Sequence, residues 1–201
     1  MSSLSVNAAL DSGTPIKLRR ITVDEYHRMI RDGYFADNDR CELIDGLIIQ
    51  KTSKNPPHST VVNRAWLSIQ GQLPAGHSLR IEQPITLQDS EPEPDIVVVN
   101  GSIDSFRMNH PKVDDIVFVI EVSDSSLPID RGIKLGEYAR EKIERYIILN
   151  LVEKCVHHFE MPTKDGYARQ FRLKAGDVLE LTVGGTIIRL DVSALFEGLP
   201  G

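Results

Sequence analysis

Residues 93–99 read EPDIVVV, residues 116–126 read IVFVIEVSDSS, and residues 128–149 read PIDRGIKLGEYAREKIERYIIL. The first two segments are short apolar runs that carry one carboxylate each. Asp95 stands at the front of the first and Glu121 near the back of the second. Continuous apolar runs of this length predict strands covered on both faces. The third segment predicts a helix over 129–142, introduced by Ser126 and Pro128, and then a buried strand over 145–150. Ile133, Tyr138 and Ile143 form the apolar side of that helix, which Gly132 and Gly136 weaken.

The flanking sequence supplies the remaining elements. Thr22 with Glu25 three residues on is a capping box, and it starts a helix that Gly33 stops. Asp45-Gly46 separates two β-prone runs, 41–44 and 47–51, as a hairpin with a primed turn. Pro56-Pro57 reads as a break, followed by a helix over 58–73 with Val61, Val62, Ala65, Trp66, Ile69 and Leu73 on one face. A strand over 78–87 is interrupted by Pro84, and the chain over 100–115 reads as a loop with room for a turn of helix. Further strands are expected over 154–160, 167–173 and 186–190, with a short helical turn over 193–196. Helices alternating with strands in this order predict an α/β or α+β fold, a mixed sheet flanked by helices.

The 201 residues fit one domain, 18–201, after a flexible N-terminal arm, 1–17. No apolar run reaches the roughly 18 residues that cross a bilayer. The N-terminus lacks a basic, apolar signal pattern, so a cytoplasmic location is expected by default. Cys41 and Cys155 lie far apart, match no zinc spacing and read as buried free thiols. A net charge of −6 disfavours tight non-specific binding to nucleic acid, although a local basic groove remains compatible with it. There is no P-loop, GxSxG or Rossmann glycine pattern.

If the strands bearing Asp95 and Glu121 pair, their polar ends meet at one rim of the sheet. Two carboxylates there, with a backbone carbonyl such as that of Val122, offer the oxygen ligands that Mg²⁺ or Mn²⁺ prefers. Asp130, Lys134 and Tyr138 recur every four residues and share a helix face. Lys134 can reach the rim and contact a phosphate oxygen or an attacking water. An amine with a pKa of about 10.4 is a poor general base, so Lys134 serves as one only if that value is lowered.

Plainer readings stand beside these. Asp95 can cap a strand, and Glu121 can form a buried ion pair with Lys134 or an arginine. Asp130 and Tyr138 can position Lys134 or simply pack. Glu42 is balanced between a metal shell and a hairpin salt bridge. Glu91 and Glu93 read as a solvated acidic loop. His157 and His158 are adjacent in a strand, so their rings face opposite sides and do not share a metal.

Pro94-Asp95, Glu121 and the DxxxKxxxYA pattern over 130–139 resemble the Uma-two family of endonucleases in the PD-(D/E)XK, restriction-endonuclease-like superfamily. VDEYHRM, CELIDGLII, PPHSTVV, EVSDSS, ERYIIL and LDVSALF also resemble family segments, spanning about residues 20–197. The resemblance implies Asp95 and Glu121 as metal ligands and Glu42 as an additional acid near the metal. The superfamily lysine normally stands two residues after the glutamate, where this chain has Ser123. In this family it is thought to have moved to the next helix, here Lys134. His58 matches a family histidine. The expectation is an Mg²⁺- or Mn²⁺-dependent endonuclease acting on DNA. By analogy it is a homodimer whose C-terminal strands supply the interface. The alternatives are a catalytically silent nucleic-acid or protein interaction module, and a hydrolase of a small phosphorylated substrate.

Overall fold

The computed structural model describes residues 18–36, 39–51 and 53–200. The expected arm, 1–17, lies outside the described residues. Thr22 caps α1 (Val23–Arg31) as predicted. Its hydroxyl accepts the Glu25 N–H at 3.2 Å while the Glu25 carboxylate accepts the Thr22 N–H at 3.0 Å. The hairpin follows as β1 (Cys41–Ile44) and β2 (Leu47–Gln50). Asp45 at φ 50° and Gly46 at φ 69° make the left-handed pair of a primed turn. A Cβ at Gly46 would meet the Arg20 Cβ at 2.5 Å, so this close approach requires glycine.

The second helix starts earlier than expected. α2 runs over Pro56–Gln70, and Asn55 caps it by accepting the His58 N–H at 2.9 Å. Pro56-Pro57 therefore opens the helix rather than breaking the chain. Proline costs nothing in a first turn, where its missing N–H would have no partner.

The central sheet has six strands in sequence order: β3 (His77–Ile81), β4 (Ile96–Asn100), β5 (Ile116–Ser123), β6 (Arg145–Asn150), β7 (Cys155–Thr163) and β8 (Gly166–Leu173). Only β5 and β6 pair parallel, and the other four neighbour pairs are antiparallel. Between the parallel strands, α3 (Leu127–Ile129), a π turn (Asp130–Lys134) and α4 (Leu135–Arg140) run on in helical geometry. The predicted helix is thus present, with a wider turn in its middle. β3 stops at Ile81, short of the expected 78–87, because Glu82 turns to φ 51° and Pro84 follows.

The C-terminal hairpin pairs β9 (Val178–Val183) with β10 (Thr186–Asp191), before α5 (Val192–Phe196). β9 adds to the expected strands. Its period-two burial, with Leu179, Leu181 and Val183 inward, is written in VLELTV.

Both faces of the sheet are covered. Ile96, Val98, Phe118, Ile120, Val122, Ile147 and Leu149 pack beneath α2, the C-terminal hairpin and α5. Val97, Val99, Val119, Tyr146, Ile148 and Phe159 pack on the opposite face beneath Tyr138 and Ile143. This explains the unbroken apolar runs of β4, β5 and β6. Asp95, Glu121 and Ser123 fall in the alternation of the second face, at its polar end.

The solvated acidic loop expected at 91–93 is corrected. Glu91 is buried, because its backbone pairs with Leu43 of β1, with N–H···O at 2.8 Å. Its carboxylate accepts the Thr86 hydroxyl at 2.8 Å and faces His27 Nε2 at 2.7 Å.

Candidate active site

Antiparallel pairing sets Ile96 opposite Ile120, which brings Asp95 level with Glu121 at the rim. The backbone locks the two carboxylates together. Glu121 Oε2 accepts the Asp95 N–H at 3.2 Å, and Asp95 Oδ2 accepts the Val122 N–H at 2.8 Å. The hydrogen bond seen at Val122 therefore comes from its N–H.

The π turn delivers Lys134. Its Nζ lies 2.9 Å from Glu121 Oε1, 3.0 Å from Glu42 Oε1 and 3.9 Å from Asp130 Oδ1. π turns gather at functional sites, where one extra residue re-aims a side chain. Tyr138, one turn later, donates its hydroxyl to Glu121 Oε1 at 3.1 Å. Asp130 is held by Ser123 and Ser126, whose hydroxyls each donate to Oδ2 at 2.7 Å. Ser123 thus anchors the start of the turn that brings Lys134 in. Glu42 enters from β1, and its other oxygen accepts the Glu93 N–H at 3.1 Å. His58, in the first turn of α2, places Nε2 3.1 Å from Asp95 Oδ2. All the residues singled out in the sequence converge here. Glu42, His58, Asp95, Glu121, Val122, Asp130 and Lys134 line one cavity, and Tyr138 joins them through its hydrogen bond to Glu121.

The electrostatics of the two strand carboxylates diverge. Burial favours the neutral acid in both. At Asp95 burial is outweighed by the His58 hydrogen bond and charge, the Lys54 ammonium and the Val122 N–H, which hold the carboxyl well below the usual range. At Glu121 burial wins, and Asp130, Asp95 and Glu42 add repulsion that Lys134 only partly offsets. Its carboxyl is pushed up to about 8. Lys134 is raised instead, because burial, which favours the neutral amine, is outweighed by Glu121, Glu42 and Asp130. It stays an ammonium at neutral pH and is no general base.

These residues fit a hard divalent cation. The oxygens gathered at the cavity are carboxylate oxygens, the ligands that Mg²⁺ and Mn²⁺ take. Glu42, Asp95, Glu121 and Asp130 are all buried around the cavity, and the ammoniums facing them are those of Lys134 and Lys54. Burial raises Glu121 first, and the repulsion from Asp130, Asp95 and Glu42 that adds to it is what a bound cation would relieve.

Sequence reasoning missed Lys54. Its Nζ lies 3.1 Å from Asp95 Oδ1 and 2.6 Å from Glu82 Oε1. It also missed Asn55, whose side-chain amide donates to Asp124 Oδ2 at 2.7 Å. The signal was the N-cap pattern: an Asn before Pro-Pro starts α2, and that start fixes Lys54 beside the rim.

The fold is shared with a solved nuclease-like structure. The crystal structure of "a putative nuclease belonging to DUF820 from Anabaena variabilis ATCC 29413" matches with a TM-score of 0.66 at 17% identity, over 88% of this chain and 97% of that one. At that identity the likeness establishes the architecture alone, a six-stranded mixed sheet flanked by helices with added C-terminal strands. The family follows from the sequence itself. Residues 23–193 match the Uma2 family model, described as "Putative restriction endonuclease", and the chain belongs to that family. No curated protein matches the chain.

Proposed function

We propose that this protein is a divalent-metal-dependent endonuclease that hydrolyses DNA phosphodiester bonds. One observation carries the reading: Asp95 and Glu121 meet at a sheet rim with the Lys134 ammonium 2.9 Å from Glu121. Family membership supports the same reaction class. Asp95 and Glu121 would hold Mg²⁺ or Mn²⁺, with the Val122 carbonyl as a further candidate ligand and Glu42 as the auxiliary acid. The bound cation would polarise the phosphoryl group and lower the pKa of its water.

The remaining roles belong to the chain's own side chains. Lys134, fixed as a cation, stabilises negative charge developing on the phosphoryl oxygens. Lys54 releases Asp95 and turns to a backbone phosphate when the substrate arrives. His58 orients Asp95 from one side, and Tyr138 orients Glu121 from the other. Asp130 holds Lys134 in line.

The test is nicking of supercoiled plasmid with Mg²⁺ or Mn²⁺ by the native protein, Asp95→Ala and Lys134→Ala. Loss of about 100-fold or more in both variants is expected. Equal rates in all three proteins would mean a contaminating nuclease and sink the assignment.

One observation favours a silent DNA-binding module instead: Lys54 and Lys134 already pair with Asp95 and Glu121. Metal-independent retention of DNA without any cleavage by native protein would decide for it. The endonuclease reading carries with it a cytoplasmic homodimer formed from residues 18–201. Val178 and Ile187, exposed on β9 and β10, are apolar side chains that such an interface would cover. No helix among the described residues is long and apolar enough to cross a membrane.

A further inference from the structure

Cys155 and His157 project to the same side of β7, and the turn before the strand, with Lys154 at φ 47°, brings the Glu153 carboxylate beside them. Their polar atoms meet. Cys155 Sγ lies 3.6 Å from His157 Nε2 and 3.6 Å from Glu153 Oε2. His157 Nε2 lies 3.7 Å from the same Glu153 oxygen. The three atoms form a nearly equilateral triangle of sulfur, nitrogen and oxygen. Tetrahedral zinc, with Zn–S of about 2.3 Å and Zn–N and Zn–O of about 2.0 Å, spaces its ligand atoms about 3.3 to 3.6 Å apart. The triangle is within a few tenths of an ångström of one face of that tetrahedron.

A cationic group already sits on it. Arg172, opposite His157 on β8, donates from Nε to Cys155 Sγ at 3.4 Å and from a terminal nitrogen to Glu153 Oε2 at 3.0 Å. Cys155 and His157 are buried, whereas the Glu153 and Arg172 side chains are 47% and 45% exposed. An ion can therefore enter, and Arg172 can leave toward solvent. The Asn150 amide steadies Glu153 Oε2 at 3.2 Å. Phe159 stacks on the His157 ring at 6.4 Å between centroids.

We propose that Glu153, Cys155 and His157 form a second cation site, specific for a thiophilic divalent ion of the zinc class. Water completes the tetrahedron, and Arg172 holds the place of the ion in the metal-free protein. Binding turns the thiol into a thiolate, and its proton passes to solvent. The ligand set is sulfur, nitrogen and oxygen, in contrast to the all-carboxylate rim. Glu121, Ile148 and His157 lie on one rung of the sheet, so the two sites are two strands, or about 10 Å, apart on the same face. Cys41 and Cys155 still match no zinc spacing with each other, and the proposed ligands follow instead the spacing Glu-x-Cys-x-His.

Cobalt(II) titration of the chelator-stripped full chain, with Mg²⁺ in excess to occupy oxygen sites, reads this site alone through the thiolate-to-cobalt absorption. The native protein and Cys41→Ser should each bind about one equivalent, show the band, and release cobalt to zinc. Cys155→Ser should lose the band. Arg172→Gln should tighten cobalt binding by about tenfold or more, a gain that misfolding cannot mimic. Absence of the band in native protein would overturn the site. So would its survival in Cys155→Ser, its loss in Cys41→Ser, or weaker binding by Arg172→Gln.

Discussion

The ends of β4 and β5 carry the same chemical group at the same rim, yet the two groups behave oppositely. Asp95 is met by an imidazole, an ammonium and a backbone N–H, and is held ionised. Glu121 shares a single ammonium with Glu42 and Asp130, and is held largely protonated near neutral pH. Burial is common to both. The difference lies in the ratio of donors to competing carboxylates, and it divides the work. Asp95 is a ready anion, and Glu121 becomes one when positive charge arrives.

The largest expected effect comes from removing either partner outright. Asp95→Ala and Glu121→Ala should each lower plasmid nicking by about 1,000-fold, since each removes a carboxylate that would hold the cation. Near-native cleavage by either would break the pairing of roles. Conservative variants sharpen the contrast through stability. Asp95→Asn should cost about 2 kcal/mol in urea denaturation without metal, because it strips a buried anion from its donors. Glu121→Gln should cost under about 1 kcal/mol at pH 7, since it imitates the form already favoured. The reverse order would show that the two environments had been exchanged.

Titration gives the next test. The Glu121 proton competes with a cation, so Mn²⁺ affinity followed by calorimetry should rise as pH climbs, flattening above about 8. In chelator the signs differ between the two acids. The raised Glu121 value contributes stability that is full below the ordinary carboxylate range and is lost as pH rises through about 8. The lowered Asp95 value contributes stability that is present above that range and is lost as pH falls through its depressed value. Thermal melts in about unit steps up to pH 9 should therefore show an alkaline shoulder that Mn²⁺ removes, and on the acid side only the onset of the Asp95 loss near the ordinary carboxylate range. The smallest effect is expected from Tyr138→Phe, which deletes one donor to Glu121. It should cost about 1 kcal/mol and move the alkaline shoulder upward.

Much of this was legible in the chain, for identifiable reasons. Thr22 with Glu25, Asp45-Gly46 and the apolar runs ending at Asp95 and Glu121 act through short-range rules, and the structure follows them. The spacing of Asp130, Lys134 and Tyr138 brought the right side of the helix to the rim. The π turn was not legible, because it answers to contacts outside its own segment: Asp130 to Ser123 at the end of β5, and Lys134 to Glu42 of the β1 hairpin. Lys54 was missed because its role depends on where α2 begins. Glu91 was misjudged because an acidic loop says nothing about the strand it will lie against. That strand, β1, comes 48 residues earlier at Leu43.

The single parallel pair has a kinetic consequence. β4 and β5 can align as antiparallel neighbours, which brings Asp95 to Glu121 early. β5 and β6 cannot close as a hairpin, and the crossover between them carries Lys134. The amine is thus expected to reach Glu121 only once β6 has docked, and such non-local closures are slow. A chain still emerging from synthesis would hold both carboxylates but lack the seated lysine. Cleavage competence should therefore appear as a late phase of refolding, after most of the secondary structure has formed.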